Sequence, residues 1–255
     1  MKRRVTIRFY EELNDFIKTD LRKRQITTSF YGKRTVKDLI ESFGVPHVEI
    51  DLILVNGESV GFDYIVEDND LISVYPVFER FNIGGVSQLR QSPLRETRFL
   101  LDVHLGKLAK YLRLLGFDAM YNNKMDDPEL AMISNKTQRV LLTRDRGLLK
   151  RKLVERGMFI RNNDPYKQLL EVLDKLDLWD RIQPFRRCMV CNKEIKAIEI
   201  NTPEFHEIEG LIPPNVKEWC KEYNYCSNCQ KVYWKGCHWD RLNELINRLR
   251  EEHTE

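Results

Sequence analysis

The stretch RFLLDVHLGKLAKYLRLLGF, residues 98–117, decides the reading of the fold. Arg98 to Leu101 have strand character and run into Asp102. Beyond it Leu105, Leu108, Ala109, Leu112 and Leu115 recur at helical spacing, and Gly116 stands where a helix stops in a left-handed turn. Strand, acidic residue, helix is a grammar that recurs downstream. Asp118 to Tyr121 form a short strand, DDPELAMISNK a helix, and RVLLT a buried strand ending at Arg144-Asp145. GLLKRKLVERG reads as another helix, MFIR as a strand, and YKQLLEVLDKLDLW, after Asn162-Asn163-Asp164-Pro165, as the next helix. Short strands alternating with helices specify a parallel sheet of α/β type.

Upstream the period changes from helical to two. Val5, Ile7 and Phe9 alternate with Thr6, Arg8 and Tyr10, and Ile26, Thr28 and Phe30 follow. TVKDLIESF, capped by Thr35 and stopped by Gly44, is an amphipathic helix. DLILVNGESV then carries the hairpin signal Asn56-Gly57, and DNDLISVYPVF supplies a last strand. The order is β-β-α-β-β in about eighty residues, an α+β domain over residues 1–80. Residues 81–97 have no sustained period and read as a linker, with Gly84-Gly85 as a flexible joint.

The 255 residues carry 42 Lys plus Arg and 39 Asp plus Glu, a net charge of +3; 42% are hydrophobic and 32% charged. That balance excludes global disorder, and no run of about 18 apolar residues offers a membrane span. The basic N-terminus MKRRVTIRFYEEL lacks the apolar core of a leader, so a cytoplasmic protein is expected.

In an open parallel sheet, ligands gather beyond the carboxyl ends of the strands. Asp102, Asp145 and Asp164 occupy such positions, while Asp126, Asp127 and Glu129 open a helix able to approach the same edge. Carboxylates converging on one rim repel unless cations lie between them, and hard oxygen ligands suit Mg²⁺ or Mn²⁺, ions that activate water for phosphodiester cleavage. Asp127 and Asp164 also precede proline, as an N-cap does before Pro at the first helical position. Asp145 is flanked by Arg144, Arg146, Lys150, Arg151 and Lys152, and Asp102 by Lys107, Lys110 and Arg113. Such cations suit RNA phosphate or a solvated helix face. His104 is assigned no role.

All six cysteines lie between Cys188 and Cys237. Cys188-x2-Cys191 and Cys226-x2-Cys229 are two knuckles separated by 34 residues, a spacing that specifies a structural Zn²⁺ ribbon over 184–255, closed by a C-terminal helix. Cys220 and Cys237 stand outside the knuckles. Arg186, Arg187, Lys193 and Lys196 could grip RNA while Trp234 or Trp239 stacks a base; the preferred reading is that the aromatics roof a small domain.

VNGESV and EDNDLISVYPV resemble the β-grasp, ubiquitin-like fold of the small sulfur-carrier proteins of thiamine and molybdopterin synthesis. Those carriers end in Gly-Gly, whereas 170 residues follow Gly85 here. RFLLDVHLGKLAKYLRLLGFDAMY, DDPELA, RVLLTRDRGLLKR, RNNDPYKQL and the tail KVYWKGCHWDRLNELINRLREE, in that order, resemble the C-terminal ribonuclease domain of the Mut-seven exonuclease family, a branch of the PIN-like nucleases. The resemblance implies a PIN-like α/β domain over 98–183 and RNA hydrolysis at a carboxylate-bound Mg²⁺ or Mn²⁺ pair. It casts Asp102 and Asp145 as principal ligands, Asp127 (or Asp126) as completing the site or orienting water, Asp164 as a fourth acid, and Arg144 or Arg146 as neutralising the scissile phosphate.

The expected function is therefore a metal-dependent ribonuclease. Its rivals are a non-catalytic RNA-binding or ribosome-associated adaptor and a sulfur-carrier fusion, which requires cleavage after Gly85. The β-grasp domain is expected to dock a protein partner.

Overall fold

The computed structural model describes residues 2–77, 87–89 and 97–254, so Gly84-Gly85 lies outside the described residues. The N-terminal elements are β1 (Lys2–Phe9), β2 (Ile26–Tyr31), α1 (Val36–Ser42), β3 (Ile50–Val55), β4 (Glu58–Ser59) and β5 (Leu71–Pro76). Next come β6 (Arg98–Leu101), α2 (Gly106–Leu114), β7 (Asp118–Tyr121), α3 (Asp127–Thr137), β8 (Val140–Thr143), α4 (Arg146–Leu149), β9 (Gly157–Phe159) and α5 (Pro165–Lys175). The C-terminal elements are β10 (Lys196–Glu199), α6 (Pro203–Ile208), α7 (Pro214–Lys217), β11 (Glu222–Cys226), β12 (Lys231–Trp234) and α8 (Cys237–Thr254). By packing, the chain divides into two compact units: Met1–His104 with Asn122–Arg161 and Lys175–Asp177, and Leu105–Tyr121 with Asn162–Asp174 and Leu178–Glu255.

In the first unit, β1 pairs parallel with β5 and antiparallel with β2, giving a mixed sheet in the order β2-β1-β5-β3-β4. The expected succession of elements along the chain holds, with β4 as an added two-residue strand across the hairpin. Val5, Ile7, Phe9, Ile53, Ile72 and Val74 turn inward onto Val36, Leu39 and Ile40 of α1. Thr35 caps α1 by accepting the Asp38 N–H at 3.1 Å. Asn56 and Gly57 take φ values of 52° and 91°, the left-handed pair that a tight hairpin turn needs. A turn at Glu11–Phe16, absent from the sequence reading, follows β1.

The same unit holds the parallel run β6-β8-β9, with Leu100 opposite Leu141 and Leu142 opposite Met158. Phe99, Leu100, Leu101, Val140, Leu141 and Leu142 are all buried, as expected where both faces of a sheet are covered. The helix read over 147–157 is only four residues long, Arg146–Leu149. A continued helix would bury Leu153 four residues beyond Leu149, but Leu153 is half exposed and Val154 is buried instead, which breaks the helical stripe.

The second unit contains α2, β7 and the antiparallel sheet β10-β11-β12. Tyr223, Ile208, Ile212, Val216 and Cys220 form a small core beneath Trp234 and Phe205. On α8, Ile246 and Leu249 are buried. Among the described residues no helix is long and apolar enough to cross a membrane.

Candidate functional site

Asp102 follows β6 and Asp145 follows β8, adjacent parallel strands, so both acids emerge at the same sheet edge. With Asp127, Arg144, Arg146, Val103, His104 and Met125 they line a cavity of about 350 Å³. The Asp102 side chain is buried and tightly held. Oδ1 accepts the Val103 N–H at 2.5 Å and Oδ2 the Thr143 hydroxyl at 2.7 Å. Thr143 Oγ1 in turn accepts the Asp145 N–H at 2.9 Å, so one hydroxyl ties the two acids together. Asp145 Oδ1 caps α4, accepting from Gly147 N at 2.6 Å and Leu148 N at 3.4 Å. Its second oxygen has no part in that cap.

The helix cap expected at Asp127 falls one residue earlier. Asp126 accepts the Glu129 N–H at 2.9 Å as N-cap of α3, which places Asp127 at the first helical position. Asp127 Oδ2 lies 3.7 Å from Arg151. Thr143 was missed by the sequence reading. The available signal was a polar residue closing the apolar run VLL directly before the acid. Thr143→Val keeps the shape and removes the hydroxyl, and since a hydrogen bond to a charged group contributes roughly 1.5–3 kcal/mol, we expect a loss of about 2 kcal/mol in urea unfolding.

The four knuckle thiols converge. Their Sγ atoms lie within 4.8 Å of one another, and among the described residues this is the group of three or more ligand atoms gathered so closely. Burial alone would raise the Cys188 thiol, but the Tyr233 hydroxyl at 3.0 Å and backbone N–H groups outweigh it and bring its pKa down to about 6. Burial and the neighbouring sulfurs push Cys229 up to about 12. Four clustered sulfurs of this kind share negative charge only beside a cation, and the set is able to hold a tetrahedral Zn²⁺.

The family described as Mut7-C RNAse domain matches residues 97–246, and that described as Mut7-C ubiquitin matches residues 2–82. This chain belongs to the Mut7-C RNAse domain family. Comparison with curated proteins and with solved structures finds no match.

The Mut7-C RNAse domain of this chain distributes its remaining charged residues unevenly. Asp164 caps α5, its Oδ1 accepting from Tyr166 N and Lys167 N, both at 3.0 Å. Lys107 and Lys110 are exposed on α2, whereas Arg113 on the same helix is buried rather than part of a solvated face. Arg113 donates to the Ala119 carbonyl at 2.9 Å and to the knuckle carbonyls of Met189 and Val190 at 3.1 and 2.8 Å. Arg186 pairs with Glu194 at 3.1 Å; Arg187 bonds the Gly116 and Asn192 carbonyls at 3.2 and 2.9 Å. Trp239 stacks on Phe185 with ring centroids 3.5 Å apart, and Trp234 packs against the small core, the roofing arrangement.

Proposed function

We propose that the chain is a metal-dependent ribonuclease whose centre is the cavity bounded by Asp102, Asp127 and Asp145. The observation that carries this reading is the meeting of three carboxylates with Arg144 and Arg146 around one cavity beyond the ends of β6 and β8. The donor set is all oxygen, as Mg²⁺ or Mn²⁺ prefers, and carboxylates spread around a cavity suit an ion that keeps several of its waters. Asp102 and Asp145 would hold the ion, which when bound activates water and stabilises the leaving oxygen. Zn²⁺ on the four cysteines is structural, and reduced thiols fit a cytoplasmic setting.

The chain's own groups divide the remaining tasks. The Val103 N–H and Thr143 hydroxyl fix Asp102 in one orientation, so its charge need not reorganise as the phosphate reacts. Asp127, on the same cavity, would complete the site or orient the attacking water. Arg144 and Arg146 oppose the charge that develops on the phosphate.

Zinc-loaded protein is incubated with end-labelled RNA and DNA oligomers, with Mg²⁺, with Mn²⁺, or with neither. Cleavage of RNA that needs the added ion and disappears in Asp102→Asn supports the reading. Equal RNA binding by both proteins without cleavage replaces it with an adaptor.

A further inference from the structure

We propose that the β-grasp domain is an integral part of the nuclease site, and that Phe16 is a positioning residue that sets Arg146 at the cavity wall. This rests on the nuclease reading above and extends it. Arg146 follows Asp145 directly and lines the cavity, yet its guanidinium is held from the N-terminal domain. Its Nη1 donates to the Phe16 carbonyl at 3.1 Å and its Nη2 to the Asp15 carbonyl at 3.3 Å. Its centre lies 5.1 Å from the Phe16 ring and 5.2 Å from the Phe159 ring, between one aromatic of each domain. A planar fork fixed by two carbonyls and two rings loses its freedom before substrate arrives, and it keeps further N–H groups for a phosphate.

The Phe16 carbonyl is itself pinned. Gly44, with φ of +102°, packs so close behind it that a Cβ there would sit 2.8 Å from the oxygen. α4 is held at its other end as well, where Lys150 Nζ donates to the Glu41 carbonyl at 2.8 Å. His47 bridges Glu41 and the Val154 carbonyl, at 2.8 and 3.0 Å. The short helix that begins with the Asp145 cap is therefore gripped on two sides by residues 1–80.

Glu49 adds a buried ionic contact to this grip. Its side chain is fully buried, Oε1 accepting the Phe159 N–H at 2.5 Å and Oε2 pairing with Lys175 at 2.5 Å and Arg161 at 3.9 Å. All three partners come from beyond residue 97, so separating the domains would break these three contacts together. Every residue in these contacts lies within one compact unit.

The test uses the full-length, zinc-loaded chain and a labelled single-stranded RNA with Mn²⁺, comparing wild type, Phe16→Leu, Arg146→Lys, Arg146→Ala and Phe16→Leu/Arg146→Ala. Leu keeps an apolar side chain of somewhat smaller volume and removes the ring; Lys keeps the charge and removes the fork. A misplaced catalytic group typically costs one to two powers of ten, so Phe16→Leu and Arg146→Lys should each lower kcat about tenfold with KM little changed. In the Arg146→Ala background, Phe16→Leu should cost nothing more, because the group it positions is gone. A general packing defect would instead lower activity by the same factor in both backgrounds and overturn the proposal. So would full activity of Arg146→Lys, a surface change that leaves the β-grasp core untouched. A wild type inactive with every metal removes the nuclease reading and this inference with it; an active wild type with unaffected variants removes the inference alone.

Discussion

Asp145→Asn is expected to melt within a degree or two of the parent protein while its turnover on RNA falls by about three orders of magnitude, as when one preorganised charge-stabilising group is removed. The two effects separate because the two oxygens of Asp145 have separate tasks. Oδ1 caps α4 through Gly147 and Leu148, and Asn caps helices as well as Asp does. The substitution therefore spares the cap and removes the charge. Asp145→Ala removes both, and should lose a further ~1 kcal/mol of stability, the usual contribution of a cap. Thermal melts and single-turnover cleavage on the pair distinguish the roles. RNA affinity should change little, since Arg144 and Arg146, proposed to meet the phosphate, remain. An Asn variant that cleaves normally would remove Asp145 from the proposed centre, and an Asn variant that unfolds would make its role structural.

How far this site could be read from sequence depends on how local its determinants are. Asp102 and Asp145 were legible because each ends an apolar strand run, and the strand-end rule needs only the neighbouring residues. Thr35, Gly44 and Asn56-Gly57 were legible for the same reason, each being a turn or cap written in three or four residues. The α3 cap is misread at Asp127, because that acid directly precedes Pro128; the side-chain geometry gives the bond to Asp126. Arg113 misled, since a cation on the polar side of a helical stripe looks solvated until the knuckle that covers it is known. The grip on Arg146 was invisible. Phe16 and Arg146 are 130 residues apart, and neither carries a local sign that they meet. Glu49 was equally silent, as a buried acid is recognised only by the N–H and cations that surround it.

Removing zinc should damage far more than the ribbon. Chelation, or Cys226→Ser, is expected to cost the second compact unit several kcal/mol and abolish its cooperative melt, because binding of a structural zinc typically contributes about 10 kcal/mol or more to folding. The damage spreads because the first knuckle is bonded to α2 and β7 within that unit. Asn192, one residue past Cys191, accepts the Ala119 N–H at 3.0 Å and donates to Asp118 at 2.6 Å. The knuckle carbonyls of Met189 and Val190 hold Arg113, which is only 4% exposed. Burial lowers the Arg113 pKa, and the Cys188 and Cys191 sulfurs work against that shift, so the guanidinium is also a counter-charge to the metal site. If the knuckle opens, that cation loses the Met189 and Val190 carbonyls and keeps only that of Ala119. Arg113→Met offers the complementary measurement. It should weaken zinc retention against a chelator while sparing all four thiols, and circular dichroism during chelation should show α2 melting together with the ribbon. A ribbon that lost zinc while the rest of its unit melted unchanged would show that these bonds carry no coupling.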